Sequence, residues 1–258
     1  MPRKSNKLLK IESIFETDSG DVPYILKRSS RRKTLSICVD QHGDLSVSVP
    51  LRVPDKEIRS FLDEREQWIL NHRSKAKKHH AEINKRKFES GHSFLFLGKL
   101  RELLIERKNI KRSVVILEEK GWIVSVDKDT SEDSLEIEVR KALVKWYRKQ
   151  AVEIVASRIF HFGRILGEQP EKIAVRTQKR LWGCCDYSKR IIHINWQIIL
   201  APMSVVEYVI VHELCHLIVP NHSKRFWSQV ENILPDYERE VKWLKDNQAD
   251  MVLPEVGR

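Results

Sequence analysis

Two histidines four residues apart, His212 and His216, enclose a glutamate in the segment Val209-Ile210-Val211-His212-Glu213-Leu214-Cys215-His216. On a helix a four-residue step nearly completes one turn, so both imidazoles stand on one face, roughly 6 Å apart along the axis. That separation suits two ligands of a single divalent ion. Glu213 follows the first histidine and projects beside the pair, where a carboxylate can take a proton from water activated by the metal. Binding and proton transfer are thus divided between neighbouring side chains, the arrangement that metal-assisted hydrolysis needs.

A catalytic zinc keeps three protein ligands and one open position. Pro220 breaks the helix soon after His216 and lets the chain turn back, and His222 is the first ligand type beyond it. Glu231, Asp236 and Glu238 are acidic alternatives farther on. The expected ligands are His212, His216 and His222, with one zinc ion per chain and Glu213 as catalytic base. Cys215 lies about 60° from His212 around the helix, and a lone cysteine more often serves as a small buried hydrophobe. His79, His80, His161 and His193 have no ligand-spaced partner in the sequence.

With ten histidines in the chain, chance produces such a spacing in on the order of a few per cent of cases, so context decides. The preceding Val205-Val206-Glu207-Tyr208-Val209-Ile210-Val211 reads as a buried helix face, where two unpaired imidazoles would be costly. Ser204 and Glu207 have capping-box spacing at its start, with Pro202 just upstream. Ser223 is placed to cap the segment Lys224-Arg225-Phe226-Trp227 and so to anchor His222. Trp182, Trp196, Phe226 and Trp227 are expected to pack rather than to touch substrate.

The elements that must position these groups divide at Ser131. Before it, short β-branched runs from Glu12 to Val49 predict a small antiparallel sheet, and Pro54-Asp55 opens a helical spacing that runs into the basic stretch Arg73–Lys87. More strand-like runs reach about Val126. After Ser131 one long helix is expected to about Leu166, ending at Gly167, followed by a strand and a hairpin turning at Tyr187-Ser188-Lys189. Three helical segments close the chain. The expected class is α+β, with a β-rich subdomain over residues 1–130 and a catalytic domain over residues 131–258. No internal repeat of solenoid period is visible.

Bulk properties agree with a globular protein. The first residues lack the apolar core of a secretory signal and no stretch is long enough to cross a bilayer, so the expected location is the cytoplasm, with no membrane partner. Cys38, Cys184, Cys185 and Cys215 are too few and too irregular for a disulfide framework. A formal charge of +11 favours anionic partners, and Arg31-Arg32-Lys33 and the run from Lys75 to Lys87 are candidate phosphate contacts. Solvated charge accounts for both more simply.

The blocks Leu181-Trp182-Gly183-Cys184-Cys185-Asp186, His193-Ile194-Asn195-Trp196, the His212–His216 helix and Asn221-His222-Ser223-Lys224-Arg225-Phe226-Trp227 together resemble the YgjP-like zinc metallopeptidases, related to the SprT-like group and the broader zincins. A weaker likeness covers Arg31–Val39, Glu66–Ile69 and Phe96–Lys99. The resemblance implies a zincin-like domain, the same three ligands and base, and peptide or protein substrates. In zincins a strand edge beside the active helix holds the substrate extended, which makes Trp182, Gly183, Cys184 and Asn195 the candidate substrate-binding residues. Arg180, Tyr187, His193 and Tyr237 are candidates for stabilising an oxyanion, with no basis for choosing. The chain departs from the family where W-G-S-C-S is common, and at Cys215, where a small residue is usual.

Two alternatives remain at this level. A structural zinc closed by a cysteine would make the chain a nucleic-acid-associated binding protein, but such a site has no use for Glu213. SprT-like relatives include proteases acting on DNA-protein crosslinks, which makes DNA a candidate partner. The oligomeric state is left open by the sequence.

Overall fold

The β-branched runs become strands and the helical spacings become helices in the computed structural model, which describes residues 8–40, 42–178 and 181–256. The result is the expected α+β class. The chain divides into two compact units, Met1–Glu82 and Ile83–Arg258. This division lies well before the change of hydrophobic period at Ser131.

In the first unit β1 (Leu8–Phe15), β2 (Val22–Ser29), β3 (Ser36–Val39) and β4 (Leu45–Pro50) form a sheet in the order β1-β2-β4-β3. The sheet is mixed rather than antiparallel, because β2 and β4 run parallel while the other two pairs are antiparallel. Helix α1 (Asp55–Asp63) buries Ile58 and Leu62 in a core with Phe15, Val22, Leu26, Val47 and Val49. The single helical spacing is broken at Glu64-Arg65, after which α2 (Glu66–Asn84) carries the basic run.

The second unit opens with β5 (Ser93–Phe96), β6 (Lys99–Lys108), β7 (Val114–Leu117) and β8 (Gly121–Asp127), in the order β5-β6-β8-β7. Its pairing senses repeat those of the first sheet, antiparallel, parallel, antiparallel. Helix α3 (Glu132–Leu166) follows and ends at Gly167 in the left-handed region, φ 71°. Its buried residues Val139, Leu143, Tyr147, Ala151, Val155, Ile159 and Gly163 recur every four positions. Each such step turns 40° past a full circle, so the stripe winds by about 240° along the helix. One helix thereby packs successively on sheet strands, on the segment before the histidine helix, and on that helix itself.

Beyond α3, β9 (Lys172–Arg176), β10 (Gly183–Asp186) and β11 (Ile191–Asn195) make a sheet in the order β10-β11-β9, with β10 and β11 joined as the expected hairpin. A 3-10 turn, Trp196–Leu200, leads into α4 (Met203–Cys215), followed by α5 (Lys224–Ile233) and α6 (Tyr237–Asn247). Leu97 and Gly98, both at positive φ, form the β5–β6 turn. Their N–H groups donate to the carbonyls of Ile199 (2.8 Å) and Leu200 (3.1 Å), which ties the second sheet to the start of α4. Gly98 is required there twice over, since its φ is 76° and a Cβ would stand 2.7 Å from Pro202. No helix among the described residues is long and apolar enough to cross a membrane.

Candidate metal centre

Helix α4 is buried on nearly every side, through Val205, Val206, Tyr208, Val209, Ile210, Val211, Leu214 and Cys215. It starts at Met203, with Pro202 in the cap position, where a missing N–H costs nothing. The predicted capping box does not form. Ser204 donates instead to Glu240 (3.1 Å), and Glu207 pairs with Arg158 (3.4 Å), because tertiary partners on α6 and α3 are within reach. The regular helix ends at Cys215, and His216 occupies the C-cap while still helical in φ and ψ.

The chain turns back after Pro220 and delivers His222 to the pair on the helix. His222 Nε2 lies 3.0 Å from His212 Nε2 and 3.2 Å from His216 Nε2. Three nitrogens bound tetrahedrally to one zinc at 2.0–2.1 Å stand about 3.3 Å apart, so the donor set has the size of such an ion. His216 Nδ1 faces the Val219 carbonyl at 3.1 Å, which keeps its proton on Nδ1 and leaves Nε2 as the lone-pair donor. Among the described residues His212 Nδ1 has no hydrogen-bond partner.

Aromatic rings hold this set. Phe226, fully buried on α5, lies 4.5 Å from the His216 ring and 4.9 Å from each of the other two. Trp227 stacks on His222 (5.7 Å) and on Tyr237 (5.3 Å), and Tyr237 stacks on Tyr208 (6.4 Å). Tyr208 precedes His212 by four residues on α4, the helical spacing that marks it as a neighbour of that ligand, whereas His222 precedes α5 and meets Phe226 through the turn at the helix start. Ser223 caps α5 without a side-chain bond, and Asn221 Oδ1 accepts from the Ser223 N–H at 3.2 Å.

Glu213 is 5% exposed and its Oε2 lacks a hydrogen-bond partner among the described residues. Burial pushes its carboxyl up to about 8, while burial and the two neighbouring imidazoles push His212 down to about 3. Neutral imidazole is the ligand form. A divalent cation beside the carboxyl would favour its ionised form and reverse that rise. Convergent nitrogens and an orphaned buried carboxyl are what a metal site leaves when only the protein is considered.

Strand β10 passes beside Glu213. A Cβ on Gly183 would meet the carboxylate, and Cys185, two residues on and on the same face, feels its charge. Burial, then Glu213, raises the Cys185 thiol to about 11. Cys184 and its cross-strand partner His193 face the other way, and Cys184 Sγ lies 3.8 Å from Gln178 Oε1. Asn195 is buried, with its amide donating to the Gln178 carbonyl (3.0 Å) and its Oδ1 accepting from the Gln197 N–H (3.3 Å). Trp182 is half-buried against the main core, and its carbonyl accepts from the Asn195 N–H at 2.8 Å. Tyr187 is exposed in the hairpin turn, and Arg180 lies outside the described residues.

Elsewhere, Lys75, Lys77 and Lys78 are exposed on α2. His80, read from the sequence as lacking a partner, has Nε2 3.0 Å from His42 Nδ1 within the first unit. The neighbour comes from a loop 38 residues earlier, beyond the reach of local spacing.

No curated protein matches the chain. Among solved structures, the metallopeptidase zymogen of Pyrococcus abyssi abylysin is similar over 40% of this chain and 99% of its own, at 22% identity and a TM-score of 0.34. Residues 33–247 match the YgjP-like metallopeptidase domain, a span that contains all three histidines and Glu213. The chain therefore belongs to the YgjP-like family and is a metallopeptidase, an enzyme whose substrates are peptides or proteins.

Proposed function

We propose that the metal is zinc, held by His212, His216 and His222, and that Glu213 is the general base and acid of peptide-bond hydrolysis. The observation that carries this reading is the convergence of three Nε2 atoms, two of whose separations are 3.0 and 3.2 Å, with the buried carboxylate of Glu213 on the residue next to His212. When bound, zinc supplies Lewis acidity towards water and towards a peptide carbonyl. Glu213 takes a proton from the attacking water and returns it to the departing amine nitrogen. Cys215 is buried with its thiol pushed up to about 12 and does not join the convergent donor atoms of the three histidines, which suits a packing role.

Strand β10 is an edge of its sheet, so a substrate in extended form can pair with its free side beside α4. Gly183 and Cys184 are the backbone positions for that pairing, and Trp182 borders it. Asn195 acts one step removed, by bonding to the carbonyls of Gln178 and Trp182.

The test is a Glu213→Gln variant assayed on casein alongside metal analysis. Zinc content stays near that of the native protein while cleavage falls by at least about 10²-fold. Equal cleavage by both forms would remove Glu213 from the mechanism.

A further inference from the structure

The first sheet has an outer strand with unusual contents. Strand β1 pairs only with β2 among the described residues, leaving one line of backbone N–H and C=O groups unpaired. Its side chains include Leu8, Leu9, Ile11 and Ile14, exposed by 52, 39, 46 and 61%. Edge strands that remain solvated are normally shortened, bulged, interrupted by Pro or loaded with charge. This one is eight residues long and carries Lys10 and Glu12, both exposed and of opposite sign.

The positions of those charges are self-complementary. Turned antiparallel on a second copy with Ile11 on the two-fold axis, β1 sets Lys10 opposite Glu12, Glu12 opposite Lys10, Leu8 opposite Ile14 and Leu9 opposite Ser13. A shift of pairing one way sets Lys10 opposite Lys10, and the same shift the other way sets Glu12 opposite Glu12; like charges directly opposite are destabilising. The intermediate registers place Lys10 or Glu12 against Ile11 and turn every side chain of the partner to the wrong face. One register satisfies both charge and hydrophobic pattern.

We propose that β1 is a homodimerisation edge, joining two copies into one continuous sheet in the order β3-β4-β2-β1-β1-β2-β4-β3. The interface is isologous, as a two-fold dimer requires. Because it rests on one strand pair, the association is weak and concentration-dependent. All of the residues involved lie in the first unit, and none belongs to the metal centre.

Sedimentation velocity on the full chain, over a concentration series up to roughly 100 μM, tests this. The native protein shifts from monomer to dimer. Lys10→Glu places Glu opposite Glu12 twice and weakens dimerisation at least tenfold, as does Glu12→Lys, whereas the charge-swapped double variant K10E/E12K recovers it. Ile11→Cys forms a disulfide-linked dimer on oxidation, because residues directly opposite have Cα atoms about 4.5–5.5 Å apart. Ser13→Cys, several positions from its own copy in this register, does not. A native protein that stays monomeric throughout overturns the proposal, and so does a dimer indifferent to Lys10→Glu or not restored by the double variant.

Discussion

Gly183 lies against the carboxylate of Glu213 so closely that a Cβ at position 183 would stand 2.6 Å from Oε1 and 2.7 Å from Cγ. The backbone of β10 therefore passes directly over the side chain assigned to proton transfer. A larger residue must move either the carboxylate or the strand.

Gly183→Ala is accordingly expected to retain metal and lose activity. Displacing a reacting group by about 1 Å costs on the order of 10² in rate. Casein cleavage measured beside zinc content checks this, and full activity in the variant would show that the close approach has no catalytic consequence.

His222 reaches the site from outside α4, so its loss should leave the helix standing while the donor set falls to two. His222→Ala is expected to weaken zinc binding by at least the roughly 100-fold that loss of a mere outer partner already causes. Competition against a chromophoric chelator measures it, with circular dichroism to show that helix content is kept. Unchanged affinity would point to one of the acidic residues as third ligand.

The thiols report on the packing around Glu213. Raised values of about 11 for Cys185 and about 12 for Cys215 mean that both stay protonated at pH 8, with roughly 0.1% or less present as the reactive thiolate. A disulfide reagent at pH 8 is expected to modify Cys38 and Cys184 in the native protein and all four cysteines after unfolding. Because each pH unit below the pKa changes the thiolate fraction about tenfold, labelling of Cys185 should accelerate as pH rises. Rapid modification of Cys185 at pH 8 would contradict the burial described.

Tyr147 is fully buried on α3 and donates its hydroxyl to the Leu95 carbonyl at 2.7 Å. Tyr147→Phe leaves that carbonyl without its partner at a cost of about 1–3 kcal/mol. Thermal unfolding should shift down by about 2–10 °C. A variant as stable as the native protein would mean that the bond adds nothing beyond the ring's packing.

The candidate site residues were readable because their spacing is local. The four-residue step between His212 and His216 and the end of the long helix at Gly167 follow from backbone geometry within one element. The hairpin at Tyr187–Lys189 was readable for the same reason. The parallel pairing of β2 with β4, the repetition of that topology in the second sheet, and the His42–His80 neighbourhood were not, because each joins segments whose mutual order no local period encodes. Ser204 and Glu207 show the same limit from the other side, since a favourable local pattern yielded to Glu240 and Arg158 once the helices packed. Sequence alone singled out His212, His216, His222 and Glu213 as the candidates for binding a metal and moving a proton. Tertiary structure decided that three particular nitrogens meet, that Phe226 lies against all three rings, and that only a glycine fits over Glu213, because those are distances between elements set by the packing of the whole second unit.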